Sequence, residues 1–188
     1  QGEHRILLGR IELQASRLGA RTGPNGEPIL LLDQNRARWN HALIRHGLGA
    51  LARAEKPDRA VGPYVVQAEI AACHARARTA EETDWTRIAA FYAALAILTP
   101  SPIVELNRAV AVGMAEGPAA GLAIVEAVAG EPSLKAYHLL ATVRGDLLEK
   151  LGRLDEARAE FLRAASLTRN ARERALMLGR AGVPPITI

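Results

Sequence analysis

The sequence predicts an all-α fold: antiparallel helical hairpins stacked as a solenoid, with two N-terminal helices packed on it. Three observations carry this. Hydrophobic residues make up 49% of the 188-residue chain but aromatics only 4%. The core must therefore be built from Ala, Leu, Val and Ile, which suits closely packed helices better than sheets. Proline and glycine cut the chain into helix-sized pieces joined by linkers of about two to six residues, the lengths that connect antiparallel helices. Finally, a pattern of small and large residues recurs along the second half of the chain.

The breakers place helices near 3–19, 34–55, 62–78, 83–98, 102–115, 118–129, 135–151, 154–168 and 170–180. Between the first two lies "TGPNGEPILLLDQ", Thr22 to Gln34. Gly23-Pro24-Asn25-Gly26 is strong turn chemistry. Ile29 to Leu32 is a short apolar run expected to lie extended against the core. Asp33 stands where an N-cap belongs, ahead of a helix whose first turns hold Arg36, Arg38 and Trp39. Gly62-Pro63 opens the third helix, since proline suits the first helical position. Thr79 with Glu82, or Thr83 alone, caps the fourth, and the carboxylates of Glu81, Glu82 and Asp84 suit the positive end of its dipole. Trp85 is expected to pack beneath the preceding hairpin. After Gly182, Pro184-Pro185 cannot continue a helix, so residues 181–188 are expected to form a flexible tail.

The recurring pattern is clearest from His138 to Arg169. Gly145 is followed by Leu148, Gly152 marks a turn, and Ala157, Phe161 and Ala164 come next. Small, large, turn, small, aromatic, small is the order of a tetratricopeptide (TPR) unit. Two helices cross closely only where both present Gly or Ala, and the aromatic plugs the wedge beside that contact. A weaker copy uses Ala109, Val112, Gly121, Val125 and Val128. A third pairs helix 62–78 with helix 83–98, whose Ala89, Ala93 and Ala96 keep a small-residue face. Together they predict a TPR-like α-solenoid of about three hairpins over residues 61–180.

The net charge is +4. Acidic residues are interspersed among the basic ones and no block of like charge appears, so the chain lacks a strong phosphate-binding footprint. One cysteine leaves no internal disulfide and no cysteine-rich metal site. No apolar run approaches about 18 residues. A soluble cytoplasmic protein is expected. The chain begins at Gln1 without an initiator methionine and is read as a fragment or a processed product.

"GPYVVQAEIAACHARART", Gly62 to Thr79, is the stretch richest in chemistry. Adjacent helical residues point about 100° apart. Val66, Ile70, Cys73 and Ala77 form one stripe; Tyr64, Gln67, Ala71, His74 and Arg78 form the next. Cys73 therefore belongs to the packing face, and no thiolate–imidazole dyad with His74 is expected. No histidine pair has the i, i+4 spacing of a helical zinc site, so no metal and no cofactor is expected. "GPNG" follows no strand of a βαβ unit and is a turn, not a nucleotide loop. The polar stripe has two readings: a partner-binding face, or hydrogen bonding of Tyr64 and Gln67 to backbone of the 34–55 helix. On the first reading Tyr64, Gln67, His74 and Arg78, then Asn107 and Arg108, then His138 and Arg144, line the inner helices of successive hairpins and bind a partner.

"DQNRARWNHALI" (Asp33–Ile44), Gly62 to Trp85, "TPSPIVELNRAVAV" (Thr99–Val112), "GPAAGL" (Gly117–Leu122) and "YHLLATVRGDLLEKLGRLDEAR" (Tyr137–Arg158) together resemble the C-terminal extension of a group of extracytoplasmic-function (ECF) sigma factors. The resemblance runs from about residue 10 to about 180. It implies a non-enzymatic regulatory and protein-interaction domain acting in transcription initiation. Residues 1–60 would join it to promoter-reading domains not found in this sequence. The partners it implies are those promoter-reading domains, core RNA polymerase or a regulatory protein, with DNA reached only through the missing domains and no membrane involved. Two other readings are a small-molecule sensor or enzyme with a pocket among the helices, and direct DNA contact through Arg36, Arg38 and Arg45.

Overall fold

A computed structural model describes residues 2–24, 26–54 and 62–183. Their regular structure is helical, apart from one isolated bridge between Thr22 and Pro28. No helix among them is long and apolar enough to cross a membrane. The chain divides into two compact units, residues 1–99 and 100–188.

In the first unit, α1 (Gly2–Ala15) and α2 (His41–Ala54) run antiparallel and meet at two glycines. A Cβ on Gly9 would lie 2.9 Å from the Gly47 carbonyl oxygen, and one on Gly47 would lie 3.0 Å from the Gly9 carbonyl oxygen. Leu13 and Leu51 close the contact on either side. This small-residue crossing was not among the expected ones.

The segment between them is less regular than a helix from 34 to 55. Three 3-10 turns occupy Leu18–Ala20, Leu31–Asp33 and Arg36–Arg38. Asp33 ends a 3-10 turn and does not cap α2. The cap is Asn40, whose Oδ1 accepts from the backbone of Ala42 and Leu43 at 3.0 and 3.1 Å. Asp33 came first in the sequence, but seven more residues are needed to bring the chain back to α1. Of the apolar run, Leu31 packs on the core while Leu30 and Leu32 are exposed.

Helix α3 (Pro63–Arg76) is the centre of this unit. Val66, Ala68, Ile70, Ala71, Ala72 and Cys73 are all buried, against α1 on one side and α4 (Trp85–Leu98) on the other. Gly62 and Pro63 start it as expected. Asp84 caps α4, accepting from the Arg87 backbone at 2.9 Å. Thr79 and Glu82 instead brace the loop before it: the Glu82 backbone donates to Thr79 Oγ1, and the Glu82 carboxylate accepts from the Arg78 backbone. Ala93, expected on a small-residue packing face, is exposed, so α4 packs through Ile88, Ala89 and Leu95.

The second unit holds α5 (Pro102–Ala115), α6 (Pro118–Val128), α7 (His138–Lys150), α8 (Leu154–Leu167) and α9 (Ala171–Arg180). In the α5–α6 hairpin a Cβ on Gly121 would sit 2.6 Å from the Ala109 carbonyl oxygen and 2.8 Å from Gly113 Cα. In the α7–α8 hairpin a Cβ on Gly145 would sit 2.7 Å from the Phe161 ring. Phe161 is buried with Leu140, Leu148, Ala157 and Ala164, and burying a side chain of that size contributes about 1.5–3 kcal/mol. The expected small-to-large contacts are therefore present here, with Gly113 as an added member.

Two expected boundaries differ. Helices α3 and α4 belong to the same unit as α1 and α2, so the division falls after Thr99 and not near residue 60; α3 packs directly against α1. Ala181 and Val183, expected in the tail, are packed instead. Ala181 is buried, Val183 packs on the same cluster, and the Val183 backbone donates to Leu178 at 2.9 Å. The remainder of the expected tail, 184–188, lies outside the described residues.

Candidate functional site

The expected polar stripe of α3 does not survive as one face. Tyr64 is 53% exposed at the start of the helix, and Gln67 is half-buried. His74 is buried in the core. Arg78 lies beyond the helix end, because α3 stops at Arg76 and Ala77 turns to extended backbone. Neither Tyr64 nor Gln67 makes a hydrogen bond to α2 among the described residues, so the packing alternative is not realised in that form.

The polar tie to α3 comes from a residue read as part of a helical turn or a DNA contact. Arg36 is 7% exposed. Its Nη1 donates to the carbonyl oxygens of His74 and Ala77 at 2.7 and 3.0 Å, and its Nη2 donates to Thr83 Oγ1 at 2.8 Å. It thus satisfies carbonyl groups that the last turn of α3 leaves unpaired, at the end of the helix where the dipole favours a cation. Its guanidinium also sits 4.9 Å from the centroid of the buried Trp39 ring. Burial lowers its pKa, opposed by Glu81 and Glu82. Arg36 is not placed to touch DNA; Arg38 and Arg45 are exposed.

His74 completes this cluster. Its ring meets Trp85 edge-on at 5.3 Å between centroids. Burial first, then Arg17 and Arg36, lower its pKa from 6.5 to about 4, so it is neutral at pH 7. Its Nδ1 is buried without a hydrogen-bond partner. Cys73 is buried beside it, and burial raises its thiol pKa, which leaves the unreactive thiol form. Cys73 and His74 are both packed in the core.

In the second unit Asn107 is exposed on α5. Arg108 pairs with Glu105 one turn earlier at 2.7 Å. His138 Nε2 lies 3.2 Å from Glu173 of α9, whose carboxylate also accepts from Thr168 Oγ1 at 2.7 Å. Arg144 bridges three helices, pairing with Glu126 of α6 and with the buried Glu160 of α8 at 2.8 Å each. Arg180 pairs with Asp146 and Glu149 and lies 4.2 Å from the Phe161 ring centroid. Arg108, His138 and Arg144 are thus engaged within the unit, and Asn107 is the candidate left facing outward.

Sequence reasoning missed Arg36, Trp39 and Thr83 as a connected group. A signal existed in "NRARW", where a cation stands three residues before a tryptophan, but the carbonyl groups it serves lie 38 and 41 residues away.

A family of unknown function, DUF6596, matches residues 1–55. That span holds α1, the 3-10 turns with Arg36, and α2. An uncharacterized protein of Rhizobium meliloti (strain 1021) is 46% identical over 185 residues, covering 97% of this chain and 43% of the relative. The chain therefore spans less than half the length of the curated relative it matches. No solved structure matches it.

Proposed function

We propose that the chain is a non-enzymatic, cytoplasmic interaction domain, the TPR-like regulatory extension of an ECF sigma factor. It would hold or release the promoter-reading domains of the same protein, or bind core RNA polymerase or a regulator. The α7–α8 hairpin carries this reading. Gly145 and Phe161 meet at the spacing of a TPR unit, with Ala157 and Ala164 buried beside them. Gly113 and Gly121 repeat the close approach in α5–α6. The stacking of such hairpins into a solenoid is part of the proposal. The length of the relative, more than twice the matched span, suits a domain that acts on the remainder of its own protein. A solenoid can gate a tethered partner through modest differences in affinity between two states.

The contact residues chosen for the test are Tyr64, Gln67 and Asn107, candidates that lie on helices and are committed neither to internal ion pairs nor to the core. The test places Tyr64→Ala, Gln67→Ala and Asn107→Ala together in the longer protein and measures promoter-specific transcription. Changed output with an unaltered melting profile supports the reading. Unchanged output in the folded variant removes these residues as contacts, and absence of any promoter-dependent activity in the longer protein removes the sigma reading itself.

A further inference from the structure

Charge pairing differs between the second unit and the first 45 residues of the chain; later in the first unit Arg76 and Arg87 both pair with Glu69. In the second unit, Arg108, Arg144, Lys150, Arg153, Arg163 and Arg180 each lie within ion-pair distance of a carboxylate. In the first 45 residues there are seven arginines and four carboxylates. Among the described residues none of those seven arginines has a carboxylate within ion-pair distance; Glu12 is taken by His46 at 2.7 Å. Sequence proximity of opposite charges did not translate into pairing here.

Arg17 and Arg21 end on neutral acceptors. Arg17 donates to Gln14 Oε1, and Arg21 reaches the Gln14 carbonyl and side-chain oxygens at 3.4 Å. Arg17 lies 5.9 Å from the Trp39 ring centroid, on the same ring that Arg36 approaches. Burial and repulsion from Arg21 and Arg36 lower its pKa to about 10. Arg10 lies in the second half of α1 and Arg17 just past its end; both act electrostatically on Tyr92 of α4. The interior beneath is short of acceptors as well: Trp39 Nε1 and Arg36 Nε are buried donors with no partner, on residues 3% and 7% exposed. Like charges brought together and partly desolvated are unfavourable unless an anion joins them.

We propose that Arg10, Arg17 and Arg21 form a receiving site for a carboxylate on an acidic peptide segment of a partner protein. A peptide fits better than a polynucleotide for two reasons. The cations are few and linked locally, Arg17 and Arg21 through Gln14 and Arg10 and Arg17 through Tyr92, whereas a nucleic-acid backbone needs an extended row of exposed cations. Beside Arg10 and Arg17 in the chain stand Ile11 and Leu18, both 62% exposed. That surface suits the apolar side chains of an amphipathic acidic peptide and offers nothing to phosphates. The inference does not rest on the sigma reading, since it uses only charges and surface within the first unit.

The test is calorimetric titration of the whole chain with a synthetic peptide alternating Glu and Leu, beside duplex DNA and inorganic phosphate. The paired variant Arg10→Gln/Arg21→Gln keeps the Arg17–Trp39 contact and so protects the fold. Arg158→Gln/Arg172→Gln removes the same charge from exposed, unpaired positions in the second unit. The expected result is saturable peptide binding, weakened about tenfold or more by Arg10→Gln/Arg21→Gln and little by Arg158→Gln/Arg172→Gln. No saturable peptide binding, equal weakening by both variants, or tighter binding of DNA than of peptide would overturn it.

Discussion

Replacing Gly121 by alanine tests the closest helix contact in the second unit. The added Cβ would lie 2.6 Å from the Ala109 carbonyl oxygen, 2.8 Å from Gly113 Cα and 3.1 Å from Gly113 N. All three are backbone atoms, so no side chain can rotate aside and α5 must move away from α6. Alanine in place of glycine inside a helix is favourable by about 1 kcal/mol. Overpacking a close contact costs about 1–3 kcal/mol, and a backbone obstacle puts this case at the upper end. The net expectation is a loss of about 1–2 kcal/mol. Gly179→Ala is the matched control: it lies in α9 with no atom within 4 Å of the new Cβ, so only the propensity gain remains, about 0.5–1 kcal/mol of stabilisation. Urea unfolding followed by far-ultraviolet circular dichroism reads both. Tryptophan fluorescence reports the first unit alone, because Trp39 and Trp85 lie there. Unfolding midpoints that shift the same way in both variants, or a Gly121→Ala chain as stable as its parent, would refute the close crossing of α5 and α6.

Three further outcomes follow from the first unit. Arg36→Met leaves the His74 and Ala77 carbonyls and the Thr83 hydroxyl without their donor; the expected cost is about 2–4 kcal/mol in denaturant unfolding, and Arg36→Lys is expected to restore little because an ammonium cannot span three divergent acceptors. His74 titrates at about 4 when folded against 6.5 when free. The unfolded chain therefore binds its proton first on acidification, and the stability that His74 contributes is full above pH 6.5 and falls as pH drops toward 4, by about 3 kcal/mol in all. Thermal melts across that window should show this slope, and His74→Gln should flatten it. Cys73 is buried with a raised thiol pKa, so alkylation of the native chain at neutral pH is expected to be slow and to accelerate in denaturant; rapid native modification would contradict the packing of α3.

Where the signals were local, they were legible. The expected helix at 102–115 coincides with α5, because Ser101 supplies the cap and Pro102 suits the first turn. Gly152, at φ +75°, ends the α7–α8 turn where the pattern placed it. The burial of Cys73 was readable from its stripe on the helical wheel. His74 was not, because the wheel gives one face of α3 to the core, whereas α1 and α4 enclose it from two sides. A polar residue between two buried faces then has nowhere to go but inward.

The amino-acid sequence by itself determined that the chain is helical, where most helices start and stop, and, Gly113 apart, which small residues would meet in α5–α6 and α7–α8. Those choices rest on backbone chemistry within one or two turns: caps, prolines, glycines and the helical repeat. Only the tertiary structure decided that Arg36 would join α3 to the loop after it, that Gly9 would meet Gly47, that the division falls after Thr99, and that the early arginines would go unpaired. Each of these depends on groups brought together from positions tens of residues apart. Nothing in the spacing of residues along the chain says which carboxylate or carbonyl will come within reach of a given guanidinium.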